Sequence, residues 1–165
     1  MNVNEREIIL GIDPGTIATG YAFLEVNGLN VKPLDFGVIR PKKGLLSSRQ
    51  LTLFESIEAL LDGRPATSVA VESQFVHKNP RGALTLGMAR GLVLLCAAKR
   101  QIPVFQYAPT KVKLTATGSG KASKEKMVQM VKLRLNLSCS IPEDAADACA
   151  VALCHIHCRE GAEAL

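Results

Sequence analysis

The 165-residue sequence contains no unbroken apolar run of the roughly 20 residues that a transmembrane helix needs. Residues 1–7 are polar and lack the apolar segment of a secretion signal. Repeats of fixed period and low-complexity linkers are also missing. We therefore expect a cytoplasmic protein with no membrane association, in which residues 1–165 form a single domain large enough for a hydrophobic core.

Acidic residues are fewer than basic ones, 15 against 20, which leaves a net charge of +5 and an isoelectric point near 9.1. This balance favours polyanionic partners without identifying one. The five cysteines are an odd number, so we expect reduced thiols rather than disulfides. Cysteines and histidines crowd residues 149–158, but zinc sites usually draw ligand pairs from separated segments. We therefore prefer buried thiols and a surface histidine there.

The spacing of apolar residues predicts strands in the first third of the chain and alternating strands and helices after it. Strands are expected at residues 7–13, 20–26, 29–39, 68–72 and 102–107, with an Asn27-Gly28 hairpin turn between the second and third. Helices are expected at residues 47–61, 83–100, 124–135 and 145–157. The first three strands indicate an antiparallel meander, and the later alternation indicates an α/β sheet with helices on its faces.

Two of the predicted strands end in an acidic residue, Asp13 and Glu72. If these strands are neighbours, both carboxylates lie in the crevice at one edge of the sheet, where α/β proteins bind ligands. Asp144 and Asp147 are three residues apart and share one face at the start of an apolar helix. Four carboxylates form a hard oxygen-ligand set of the kind that Mg²⁺ or Mn²⁺ prefers, and two such ions can act on a phosphodiester.

Each acid taken alone also has a purely structural interpretation. Asp144 fits the N-cap of the last helix, and Asp147 fits a first-turn acid favoured by the helix dipole. Glu72 fits a surface residue at a strand end. Asp13 fits such an account less well, because burying an unpaired charge is costly and the neighbouring Gly and Pro shape a specific turn.

The sequence resembles the RuvC-type Holliday junction resolvases from about residue 9 to residue 157. The motifs that carry the resemblance are Gly11-Ile12-Asp13-Pro14-Gly15-Thr16, Thr19-Gly20-Tyr21, Val71-Glu72-Ser73-Gln74-Phe75, Lys78-Asn79, Gly87-Met88-Ala89-Arg90-Gly91, Val112-Lys113 and Asp144-Ala145-Ala146-Asp147-Ala148. The resemblance implies a ribonuclease H-like fold, with three antiparallel strands and then parallel strands in a mixed five-stranded sheet and helices on both faces. It also implies a crossover junction endodeoxyribonuclease that nicks two strands of like polarity in recombination and repair.

The same resemblance assigns roles to particular residues and partners. Asp13, Glu72, Asp144 and Asp147 would be the catalytic metal ligands, for Mg²⁺ or Mn²⁺ and with two ions per subunit. The DNA contacts would be Phe75, Lys78, Lys113 and Lys124, with Phe75 stacking on an unpaired base. The expected partners are four-way junction DNA, a second copy of the chain in a homodimer, and the RuvA and RuvB branch-migration proteins.

Several alternatives stay open at this point. Phe75 also fits core packing or a dimer contact, and the lysines fit a solvated charged face. The helix at residues 83–100 is a candidate dimer interface whose apolar face fits the core equally well. A Gly-Ile-Asp-x-Gly-Thr turn also occurs in actin-like ATPases and sugar kinases, but those folds need two such domains, and the chain has no P-loop pattern. A ribonuclease H-like relative that binds nucleic acid without cutting it is the second alternative.

Overall fold

The computed structural model describes residues 6–15, 17–73, 80–159 and 162–165. Five strands form one sheet, and their bounds are β1 (Glu7–Asp13), β2 (Thr19–Asn27), β3 (Asn30–Ile39), β4 (Ser68–Glu72) and β5 (Val104–Tyr107). The helices are α1 (Leu46–Gly63), α2 (Pro80–Lys99), α3 (Pro109–Thr117), α4 (Lys124–Arg134) and α5 (Glu143–Cys158).

The strands lie in the order β3-β2-β1-β4-β5, which makes β1 the central strand. It pairs antiparallel with β2 and parallel with β4, so Asp13 lies opposite Gly20 on one side while Ile12 lies opposite Val71 on the other. The apolar run of β1 is explained by this position, because a central strand with helices on both faces is buried on both sides. The predicted mixed ribonuclease H-like sheet is confirmed.

Helices cover both faces of the sheet, as predicted. On one face, α3, α4 and α5 pack over side chains that include Ile9 and Leu24. On the other face, α1 and α2 pack over side chains that include Leu10 and Phe23. Alternate residues of each strand therefore enter different cores, in keeping with the two-residue period of a strand.

Helix α5 lies unusually close to the sheet, and glycines in β1 and β2 permit this. A Cβ atom on Gly11 would lie 2.2 Å from the backbone oxygen of Ala148, and one on Gly20 would lie 1.9 Å from that of Asp144. Ten residues of α5 are buried. The first turns of α5 therefore pack directly against β1, which ends at Asp13, and against β2, which follows it.

Helix α2 combines a buried face with an exposed apolar one. Ala89, Val93 and Cys96 are buried against the sheet, whereas Leu84 is 68% exposed and Leu95 is 51% exposed. The window Gly82–Lys99 has a mean hydropathy of 1.4 and is 22% buried, which is enough by length and composition alone for a membrane span. The window contains no unbroken apolar run because Arg90 lies inside it, and it ends at Lys99.

Several sequence predictions need correction. Helix α3 was not predicted, and residues 102–103 precede β5 rather than belonging to it. The sequence did not distinguish His155 from His157, and His155 is buried: its Nδ1 lies 2.7 Å from Tyr107 Oη and its Nε2 lies 3.2 Å from Ser68 Oγ. Two hydroxyl partners satisfy the ring, so His155 is a structural residue of the core. His157 is exposed, as expected.

The cysteines are free thiols, as the sequence predicts. Three of them, Cys96, Cys149 and Cys154, are buried, while Cys139 is exposed. Burial raises the pKa of the Cys149 thiol to about 12, which keeps it protonated and unreactive at neutral pH.

Candidate active site

Asp13 and Glu72 meet at one edge of the sheet because their strands are parallel neighbours. The register aligns Gly11 with Ala70 and Ile12 with Val71, so the next residue of each strand carries the acid. After Asp13 the chain turns tightly, and the N–H of Gly15 lies 3.4 Å from its acceptor, Thr19 Oγ1. The two carboxylates that were predicted from the strand ends are therefore brought together.

Asp144 and Asp147 come from the first turns of α5. The N-cap of this helix is Pro142, and no side chain caps it, so the alternative interpretation of Asp144 as the N-cap is wrong. Because Gly20 lets the backbone at Asp144 contact β2, and Gly20 pairs with Asp13, the helix acids come to the same sheet edge as the strand acids. The helix N-terminus also favours negative charge at this end.

Asp13 is affected by the other three acids. Burial, as the largest cause, and then the charges of Glu72, Asp147 and Asp144 together raise the pKa of Asp13 to about 8. The protonated Asp13 carboxyl donates a hydrogen bond to Glu72, whose own pKa is raised mainly by burial. The pKa of Asp147 is also raised, again mainly by burial. Buried like charges of this kind gain from a divalent cation.

Three cationic side chains flank the acids. Arg40 Nη2 lies 3.0 Å from Asp144 Oδ2, and Lys124 Nζ lies 4.0 Å from Asp147 Oδ2. Lys124 and Lys113 oppose the rise in the pKa of Glu72 and of Asp147. Lys113 and Lys124 were predicted as DNA contacts; both lie beside the acids, and the DNA contacts themselves stay predictions. Arg40 was not predicted, and its only signal in the sequence is its place directly after the predicted third strand.

The donor chemistry fits a hard divalent ion, although the side chains are not gathered around one point. Among residues 6–15, 17–73, 80–159 and 162–165, no three His, Cys, Asp or Glu side chains lie close enough together to hold an ion. Carboxylate oxygens remain the ligands that Mg²⁺ and Mn²⁺ prefer.

The two lysines belong to neighbouring helices. Lys113 lies in α3, which ends at Gly118 in the left-handed conformation with φ of 79°. Lys124 is the first residue of α4, where the Ser123 hydroxyl caps the helix by accepting a hydrogen bond from Lys126 N–H at 3.2 Å. Phe75 and Lys78 lie outside the described residues, so their predicted DNA contacts stay predictions.

The sheet order defines the class of the protein: it has a ribonuclease H-like fold, with acidic residues at one edge of the sheet. A sequence model of the family described as "Crossover junction endodeoxyribonuclease RuvC" matches residues 9–155. The chain therefore belongs to the RuvC family of crossover junction endodeoxyribonucleases, as the sequence resemblance predicts, and this family consists of metal-dependent nucleases.

Individual relatives agree with this assignment. The chain is 46% identical over 155 residues to the RuvC protein of Protochlamydia amoebophila, covering 93% of this chain and 92% of that protein. It is 44% identical to the Chlamydia muridarum protein, with 92% of each chain covered. Among solved structures, Thermus thermophilus RuvC in complex with a Holliday junction substrate superposes with a TM-score of 0.87 at 32% identity, covering 96% of this chain and 99% of that one.

Proposed function

We propose that this chain resolves four-way DNA junctions by metal-dependent hydrolysis of two strands of like polarity. The observation that carries this proposal is the meeting of Asp13 and Glu72 with the acids of α5 at one sheet edge. A chain of the RuvC family with this cluster intact has the groups needed for cleavage as well as for binding. We take residues 1–165 as one nuclease domain that works in the cytoplasm.

Asp13, Glu72, Asp144 and Asp147 would hold Mg²⁺, or Mn²⁺ in its place, with two ions per subunit. When bound, such ions lower the pKa of water and offset the charge that develops on the phosphate and the leaving oxygen. The chain supplies the rest. Its strands and α5 hold the four carboxylates at one edge of the sheet.

The basic side chains would position the DNA. Lys113 and Lys124 lie beside the acids on α3 and α4, where ammonium groups suit phosphate contacts near the cleaved bond. Phe75 would stack on an unpaired base at the junction centre, and Lys78 would contact the backbone next to it. These last two roles rest on the family resemblance.

Cleavage of a synthetic four-way junction tests the proposal. We expect Mg²⁺-dependent nicks at symmetric positions that leave 5′-phosphate ends, and we expect Asp13→Asn to abolish them while junction binding persists. Glu143→Gln is the matched control, because Glu143 is an exposed acid next to Asp144 that we do not assign as a ligand. Binding without nicking by the wild-type protein would instead favour a non-catalytic relative.

A homodimer would present two such sites to one junction, because an isologous interface repeats the site about a two-fold axis. Helix α2 offers a suitable face. Leu84, Met88 and Leu95 are exposed on it, and a Cβ atom on Gly87 or Gly91 would meet nothing within 4 Å. Small residues four apart leave room for a second helix to approach closely.

The dimer is tested by the mass of the protein in solution. We expect sedimentation equilibrium to give a dimer for the wild type and a monomer for Leu84→Glu combined with Leu95→Glu. Leu133→Glu on α4 is the control, since Leu133 is 74% exposed and lies on another helix. On the resemblance alone we also propose RuvA and RuvB as partners, to be tested by co-sedimentation of the purified proteins on a four-way junction.

A further inference from the structure

Arg40 contacts the acid cluster from the edge of the sheet. It follows the last residue of β3, which pairs with Thr19 at the start of β2, so it lies at the same end of the sheet as Asp13. From there its guanidinium crosses to α5 and bonds Asp144 Oδ2 at 3.0 Å, a contact between residues 104 apart in sequence. An arginine bonded to a proposed metal ligand affects the binding of a metal ion to that ligand.

The Arg40 contact and a metal ion compete for the same carboxylate. Arg40 Nη2 lies 3.0 Å from Asp144 Oδ2, so a cation that binds this carboxylate must compete with the guanidinium. A guanidinium stays charged at any pH that the protein tolerates, so an anion that binds Arg40 likewise competes with Asp144.

We propose that Arg40 is an exchangeable counter-ion, which neutralises Asp144 in the free protein and transfers to a phosphate of the junction when a metal ion takes Asp144. The proposal rests on the proposed function, since it assumes that Asp144 is a metal ligand. The proposal adds Arg40 to the DNA contacts. It also explains why metal and DNA would bind cooperatively.

The guanidinium has the capacity for this exchange. Its side chain is 59% exposed while that of Asp144 is 32% exposed, so the pair lies at the surface, where such ion pairs are weak. Arginine carries five N–H donors, and one contact to Asp144 leaves others for a phosphate oxygen. Exchange therefore needs a side-chain movement and no change in the fold.

The exchange makes metal and DNA binding mutually supportive. DNA that holds Arg40 frees Asp144 for the ion, and an ion on Asp144 frees Arg40 for the DNA. Such coupling is reciprocal by thermodynamic necessity, so the ion must raise the affinity for DNA by the same factor as DNA raises the affinity for the ion. When one ligand is absent, the Arg40–Asp144 contact lowers the affinity for the other. Removing Arg40 should thus change the two affinities in opposite directions, which loss of a merely structural contact would not do.

The first arm of the test measures Mn²⁺ binding to the whole protein without DNA, by electron paramagnetic resonance of the free ion. We expect Arg40→Ala to bind Mn²⁺ about three- to tenfold more tightly than wild type, because a like charge near the ion is removed. Arg40→Lys should stay close to wild type. The control is Arg6→Ala, which removes an exposed arginine–carboxylate pair at the other end of β1 and should leave Mn²⁺ affinity unchanged.

The second arm measures binding of a fluorescent four-way junction in Ca²⁺, with intact DNA verified on denaturing gels. We expect Arg40→Ala to bind about three- to tenfold more weakly and to lower the slope of log affinity against log salt by about one, as for a lost phosphate contact. Arg6→Ala should leave affinity and slope unchanged.

The outcomes separate this proposal from the function on which it rests. If the wild type binds Mn²⁺ and Asp13→Asn weakens that binding, the metal site stands. In that case, Mn²⁺ affinity in Arg40→Ala that equals or falls below the wild-type value overturns the exchange alone, and so does unchanged junction binding. If the wild type binds no Mn²⁺ with or without DNA, the proposed metal site and the exchange both fail.

Discussion

Replacing Asp13 with asparagine should stabilise the protein in the absence of metal, although the same change should abolish cleavage. Asp13 carries a buried carboxyl with three other acids nearby, and its pKa rises to about 8 from an ordinary 3.8. A group with a raised pKa binds its proton more tightly in the folded state. Its contribution to stability is therefore present below pH 3.8 and is lost as the pH rises towards 8.

The size of the effect follows from that difference in pKa. The difference between a pKa of 3.8 and one of about 8 corresponds to a loss of about 6 kcal/mol in the free energy of unfolding at pH values above 8. Water entry and small side-chain movements relieve part of this penalty, so we expect Asp13→Asn to recover about 3 kcal/mol at pH 8. For a chain of this length such a gain raises the melting temperature by about 6–12 °C. At pH 5 the gain should be less than half as large, because the folded carboxyl is then already protonated.

Thermal unfolding in EDTA and in Mg²⁺ measures both effects. In EDTA at pH 8 the variant should melt higher than wild type. Addition of Mg²⁺ should raise the melting temperature of the wild type through binding to the folded state, and it should have little effect on the variant. Glu143→Gln is again the control, since it removes an exposed negative charge from the same end of α5 without touching Asp13.

Two results would refute the reasoning about Asp13. A variant that melts lower than wild type in EDTA would show that the carboxylate is stabilised by contacts other than a metal ion. A Mg²⁺-induced rise in melting temperature that is the same in variant and wild type would place the ion elsewhere.

The remaining predictions concern packing and the buried histidine. Gly20→Ala should destabilise the protein by about 1–3 kcal/mol and weaken metal binding, because the new Cβ would press on the backbone at Asp144. Gly63→Ala, where a Cβ meets nothing within 4 Å, should leave the melting temperature unchanged or slightly higher. Burial, and secondarily Arg159, lowers the pKa of His155 from 6.5 to about 4, so stability is complete above pH 6.5 and should fall by about 3 kcal/mol as the pH drops below 4. The difference in thermal unfolding between the wild type and His155→Gln, measured from pH 7 to 4, tests this effect, and a difference that does not change with pH would contradict it.

Much of the sheet could be predicted because its determinants are local. The run of apolar residues before Asp13 indicates a strand buried on both faces, and the Asn27-Gly28 turn joins β2 to β3 through Gly28 with φ of 59°. Strand β4 was predicted with the bounds that the structure shows. The four acids could be proposed from the sequence, because each lies at the end or the start of an apolar element and together they have a common chemistry; their role as metal ligands stays a prediction.

What the sequence did not reveal depends on contacts between distant residues. The segment of α3 is rich in threonine and has a weak apolar period, and its helix is stabilised by packing of Val112 and Ala116 against α5. The pair of Arg40 and Asp144 joins two segments that no local pattern connects. The buried position of His155 could not be predicted because its partners, Tyr107 and Ser68, are supplied by two strands elsewhere in the chain.

The close packing of α5 against Gly11 and Gly20 has a consequence for hydrogen exchange. Apart from Asp147, the helix is buried from Ala145 to His155, and its first turns cannot leave the sheet without breaking the contacts over Gly11 and Gly20. Its buried backbone amides should therefore exchange only when the whole molecule unfolds. Their exchange rates would then report the free energy that any ligand contributes by binding at the acidic edge of the sheet.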